Sequence, residues 1–198
     1  KIQMSDREKN LQTYVSDMLA VESHTLEAVE RQVGSDAVKQ QSDAKRLISS
    51  IHDVLKQNTA SLEQRLEALG SGQSALKTAA ASVVGAVAGV YDQVRSEAVS
   101  RMLRDDYTAL SLVAISYTML HTTALALQDA ITADLALQNL KRITPLVMEI
   151  SKAIPAVVVQ DVKADVPSAN VSVAKQAASN TQEAWDAKHI NTVQAMPV

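Results

Sequence analysis

The chain has 198 residues, 46% of them apolar, with no Phe, no Cys, five Gly and four Pro. That length is enough for one domain with a substantial core, and the absence of Cys removes disulfides, iron–sulfur clusters, thiolate nucleophiles and Cys-based zinc sites. With 19 Lys and Arg against 22 Asp and Glu, the net charge is −3, and no basic block marks a nucleic-acid surface.

The first helix is expected over 6–33. Ser5-Asp-Arg-Glu8 reads as a capping box, and Leu11, Val15, Met18, Glu22, Leu26, Val29 and Val33 recur at steps of three and four. Gly34 reads as a left-handed cap ending it. Glu22 is the one acid on that stripe. It reads as a buried, hydrogen-bonded carboxylate whose partner is a polar group such as Asn58, as a stripe-edge residue, or as a metal ligand.

A second helix over 36–69 starts behind Ser35 and carries Val38, Ile48, Ile51, Leu55, Leu62, Leu66 and Leu69 until Gly70. The short turn between two long helices makes them an antiparallel hairpin. Residues 71–95 hold the Ala79–Val90 run and read as a crossover to the other end of a bundle. Gly85 and Gly89, four apart among alanines, would let another backbone approach closely.

The third helix is expected over 96–128, with Leu103, Leu110, Val113, Tyr117, Leu120, Ala124 and Leu127 inward and the 110–127 stretch the most buried part of the protein. The fourth, over 132–153 and capped by Thr132, carries Leu135, Leu140, Ile143, Val147 and Ile150, with a kink or break near Pro145 and an end at Pro155. The bundle therefore spans 1–160, and 161–198 is an extended arm. Trp185, the only Trp, lies on this otherwise polar arm and is expected to anchor it into a groove on its own bundle or a neighbour's. The Asp186-x-x-His189 spacing that follows reads as accidental. No stretch of about 18 apolar residues and no signal peptide is apparent, so no membrane span is expected and a cytoplasmic location is favoured; a leader removed before Lys1 stays open.

Two antiparallel hairpins joined by a long connection describe an all-α, ferritin-like four-helix bundle. The chain also resembles the bacterial ferritin-like family of the YciE/YciF type, through 14–22 in the first helix, 62–70 closing the second, and 115–127 in the place of that family's Tyr-bearing core helix. The resemblance covers roughly residues 10–155 and implies a stress-response setting. It also implies a di-iron or di-manganese centre ligated by one Glu from each of two helices and a Glu-x-x-His pair from each of the others.

Residue by residue, the pattern departs from that implication. Glu22 fits the first-helix ligand position, but the second helix offers Ile51, Leu55, Asn58 and Thr59, the third Ile115, Ser116 and Thr118, and the fourth Asn139. No Glu-x-x-His or Asp-x-x-His occurs within residues 1–160. The expectation is therefore no cofactor and no enzymatic activity: a structural or assembly protein, self-associating or partner-binding through the crossover (Gly85, Gly89) and the arm (Trp185). The alternative is a di-iron or di-manganese oxidase or iron-handling protein using Glu22, His52, Asp106 and His121. His121 reads as a hydrogen-bonded core or boundary imidazole, while His24 and His52 are expected to be exposed.

Overall fold

A computed structural model describes residues 5–71 and 98–185, apart from the side chains of Glu183 and Trp185. Gly85, Gly89 and the Asp186-x-x-His189 spacing lie outside the described residues, as does the Trp185 side chain. The described residues are all-α: α1 (Asp6–Val33), α2 (Asp36–Gln40), α3 (Ser42–Ala68), α4 (Val99–Ala126), α5 (Ala130–Asp165), a 3-10 turn (Val171–Val173) and α6 (Ala174–Trp185).

The capping box forms: the Glu8 backbone N–H donates to the Ser5 hydroxyl, and the Glu8 carboxylate accepts from the Ser5 backbone N–H at 2.8 Å. Gly34, expected to be left-handed, keeps a helical backbone with φ −76°. Gly70 does take the left-handed form, with φ +82°, and closes α3. The second helix is not continuous. Gln41 turns extended between α2 and α3, with no Gly or Pro to announce it, and its side-chain amide donates to Asp161 at 2.7 Å.

The fourth helix differs more. α5 runs unbroken through both Pro145 and Pro155 to Asp165, past the expected break and past the expected 160/161 boundary. Each proline removes one backbone donor, and the helix persists because Ala136, Asn139, Ile143, Ile150 and Val157 form a buried stripe that spans both. Its cap is Asp129, whose carboxylate accepts from the Thr132 backbone N–H at 2.8 Å, rather than Thr132 itself. The arm is likewise not extended throughout, since α6 is helical and rests on α5.

Pairings at the two ends fix the directions of the long helices. At one end the Gln12 side chain donates to the Leu69 carbonyl, Arg7 donates to the Gln128 carbonyl, and Arg65 pairs with Asp129. At the other end Gln32 donates to Asp106, and Asp161 accepts from Gln41 and from the Ser100 backbone. Hence α1 and α5 run one way and α3 and α4 the other. α1 packs on α3 and α4, and α5 packs on the same two from the opposite side. The described chain leaves α3 at one end and resumes at α4 at the other.

One core joins all four, with Tyr117, Leu110, Ile48, Ile51, Leu55, Ile143 and Ile150 fully buried, and each such side chain contributes on the order of 2 kcal/mol. The 110–127 stretch of α4 is less enclosed than expected, because Ile115, Met119 and Leu125 are 56%, 55% and 57% exposed. By length and composition α4 and α5 are each long and apolar enough to cross a membrane, which corrects the reading that no stretch reaches that measure; 33% and 17% of their most apolar windows are buried within the fold.

Candidate functional site

Every long helix contributes a polar side chain to the middle of the core. Glu22 from α1, Asn58 from α3, Tyr117 from α4 and Asn139 from α5 are each at most 1% exposed. Burying four polar groups in an apolar interior is costly unless each is hydrogen-bonded, and here they bond to one another.

The Tyr117 hydroxyl donates to Glu22 Oε2, and Asn58 Nδ2 donates to Glu22 Oε1 at 3.0 Å. Asn139 Nδ2 donates to the Tyr117 hydroxyl and to Ser61 Oγ, both at 3.0 Å. Ser61 in turn donates to the Asn58 backbone carbonyl at 2.7 Å. At the rim, Arg142 Nη1 donates to both Asn58 Oδ1 and Asn139 Oδ1 at 3.2 Å, from a residue that is itself exposed.

Helical geometry explains the assembly. Asn58 and Ser61 lie three residues apart on α3, and Asn139 and Arg142 three apart on α5, so each pair projects from one face. Burial pushes the Glu22 carboxyl up to about 8, against the hydrogen bonds from Tyr117 and Asn58 and the positive charge of Arg142. Burial, with Glu22 beside it, raises the Tyr117 phenol well above its ordinary value. The phenol therefore stays protonated and acts as a fixed donor.

The pairing of Glu22 with Asn58 agrees with one sequence expectation. The stripe of the third helix places Tyr117 inward and the resemblance puts Asn139 at a ligand position, whereas nothing in the sequence pattern marks Ser61 or Arg142 as part of the centre. Their signal was available: the i, i+3 spacing from Asn58 and Asn139 is the spacing sought for Glu-x-x-His, occupied by other residues. Ile115 and Thr118, matched to the expected third-helix ligands, instead face outward.

The alternative ligand set does not converge. Asp106 accepts from Gln32 at 2.8 Å, toward the start of α4. His121 donates through Nδ1 to the Ala133 carbonyl at 2.8 Å, which fixes its tautomer and makes it the boundary imidazole expected. His52 sits 3.6 Å from Glu30 and 3.3 Å from Asp53, and its side chain, like that of His24, is about one-fifth exposed rather than open to solvent. Among the described residues no three His, Cys, Asp or Glu side chains group so as to hold a metal ion. The donor set at the centre is one carboxylate, two amides, a hydroxyl, a phenol and a guanidinium, which does not fit two dications that need several anionic oxygens and imidazoles.

A second polar knot lies at the end of the bundle near the α4–α5 turn. Arg65 Nη2 donates to both Asp129 carboxylate oxygens, at 2.8 and 2.9 Å, and Arg65 Nε donates to Thr132 Oγ1 at 2.7 Å. Burial acts to raise the Asp129 carboxyl, but hydrogen bonds from Thr132 and the charges of Arg65 and Arg7 outweigh it and hold the group below its ordinary value. Gln128, with φ +56°, makes the turn that brings Asp129 into place.

Compared with known proteins, the chain matches no family model, no curated protein and no solved structure.

Proposed function

We propose that this chain is a non-enzymatic, ferritin-like structural or assembly protein. The observation that carries this reading is the composition of the bundle centre. Four helices converge where a di-metal ligand set would belong, and what they deliver is a hydrogen-bond network around a single carboxyl group. Two further observations support it: the order of helix directions, with α1 and α5 one way and α3 and α4 the other, and the crossing between opposite ends that this order requires. Replacing anionic ligands by neutral amides removes the desolvation cost of a buried acidic cluster and leaves a scaffold in which no step of metal chemistry is needed.

The work of such a scaffold is contact with other chains. Ile115 and Met119 on α4, Ile131 and Met148 on α5 and Tyr14 on α1 are all more than a third exposed. Tyr14, Met18, Val21, Met119 and Leu120 line a shallow cleft of about 110 Å³ between α1 and α4. In this reading the apolar side chains around that cleft are the contact surface. The crossover, with Gly85 and Gly89, and the arm, with Trp185, add to it, and the partner is a second copy or a larger assembly.

Light scattering on the full chain tests the association. A mass above that of one 21.2 kDa chain is expected, falling on Met119→Glu or on removal of residues 166–198. A full chain that stays monomeric at tens of micromolar contradicts the self-associating role.

A further inference from the structure

The bundle centre has a direction, and its source is at the surface. An Asn side chain can present either its oxygen or its NH2 group to a given neighbour, and the choice depends on what else the amide touches. Arg142 has only donors to offer, so wherever it meets an amide it takes the oxygen. Its Nη1 lies 3.2 Å from Asn58 Oδ1 on α3 and 3.2 Å from Asn139 Oδ1 on its own helix. With both oxygens held at the rim, both NH2 groups must point inward.

The consequences run through the rest of the centre. Asn58 can only donate to Glu22, and Asn139 can only donate to Tyr117 and Ser61. Tyr117, already accepting from Asn139, directs its own proton at Glu22. Ser61, accepting from Asn139, sends its proton to the Asn58 carbonyl. The donors of Asn139, Tyr117 and Ser61 are thereby assigned, and the donors that reach Glu22 come from two different helices.

We propose that Arg142 is a positioning residue that fixes the orientation of Asn58 and Asn139, so that the centre shows N–H and O–H donors to its interior and keeps its amide oxygens for the guanidinium. Amide oxygens are competent ligands for hard cations. Here both are turned to a cation that the chain itself supplies, and the groups facing Glu22 are donors that a metal ion would meet with their hydrogens. The misfit between this centre and a di-metal site is thus maintained by one surface arginine as well as by the missing carboxylates. This deepens the reading of the centre given under Proposed function and is independent of whether the chain self-associates.

Solution NMR on the full chain reads the orientation directly. In the wild type, nuclear Overhauser contacts are expected between the Asn139 Nδ2 protons and the Tyr117 ring protons, and the Asn58 Nδ2 protons should be protected from exchange with water. Arg142→Met removes the guanidinium while keeping an apolar stem. It should lose or halve the Asn139 contact and speed exchange of the amide protons at least tenfold, whereas Arg142→Lys, which retains a donor, should restore most of both. Unchanged contacts and exchange in folded Arg142→Met overturn the proposal, because a merely structural arginine leaves amide orientation alone. Should Arg142→Met fail to fold, the wild type decides: Asn139 NH2 protons without contact to Tyr117 contradict the proposal. Light scattering on the same samples reads the assembly role separately.

Discussion

The hydroxyl of Tyr117 on α4 donates to the carboxylate of Glu22 on α1, 95 positions away in sequence and with both residues fully buried. This bond ties two antiparallel helices at the centre of the core, and the amides of Asn58 and Asn139 extend it to the other two.

Removing the phenol oxygen should therefore cost more than one hydrogen bond. In Tyr117→Phe the ring still fills its place, but Glu22 Oε2 and one Asn139 N–H lose a partner inside the core. A loss of about 2–3 kcal/mol is expected in urea unfolding, since a buried polar group stripped of its partner pays its desolvation in full. Tyr117→Phe with unchanged stability would mean that the network is not formed.

Glu22 gives the protein a pH dependence of definite sign. Its folded-state value is raised to about 8 from 4.5. Between those values the folded state binds the proton that the unfolded state has released. Stability from this group is thus complete below about 4.5, falls as the pH rises toward 8, and is flat above. In Glu22→Gln, which has no proton to lose, that decline should vanish; thermal unfolding of the two proteins at pH 5 and pH 8.5 measures it. Equal pH slopes for both would contradict the assignment.

Asp129 acts in the opposite direction. Its folded-state value is lowered, so its contribution is present above the ordinary carboxylate range and is lost as the pH falls through the folded value. Asp129→Asn leaves Arg65, with a side chain only 9% exposed, without its counter-charge. The expected cost at pH 7 is about 3 kcal/mol, shrinking below pH 4, where the wild type loses the same interaction. Denaturant midpoints at pH 7 and pH 3 check both parts.

Pro155 interrupts the hydrogen-bond ladder of α5 without ending the helix, and it leaves the Ser151 carbonyl without its intrahelical donor. Pro155→Ala supplies the missing N–H in a backbone that is already helical. A gain on the order of 1 kcal/mol is expected by calorimetry. A loss would show that the proline ring packs in a way an Ala cannot replace.

The failure of the sequence to announce this continuity has a plain cause. Proline is read as a helix breaker because its local cost is known, whereas the compensating stripe through Ile143, Ile150 and Val157 acts only once α3 and α4 are in place. Gln41 is the reverse case: nothing local marks it as a break, and its extended backbone goes with a bond to Asp161, 120 residues away. At the centre, Glu22, Asn58 and Tyr117 are legible because the apolar stripes of their helices place them by period, whereas Asn139 is reached only through the ligand position that the resemblance implies. Arg142 is not legible, since a long side chain rooted at the surface reaches inward by its own length, and periodicity describes only where its Cα stands.

The proposal that this bundle centre holds no metal is open to a direct measurement. Purified full chain, incubated with excess Fe(II) or Mn(II) under anaerobic conditions and then desalted, should retain well under one metal ion per chain by elemental analysis, and iron-loaded samples exposed to oxygen should consume no more of it than buffer. Retention of about two ions per chain, with oxygen consumption abolished in Glu22→Gln, would contradict the account.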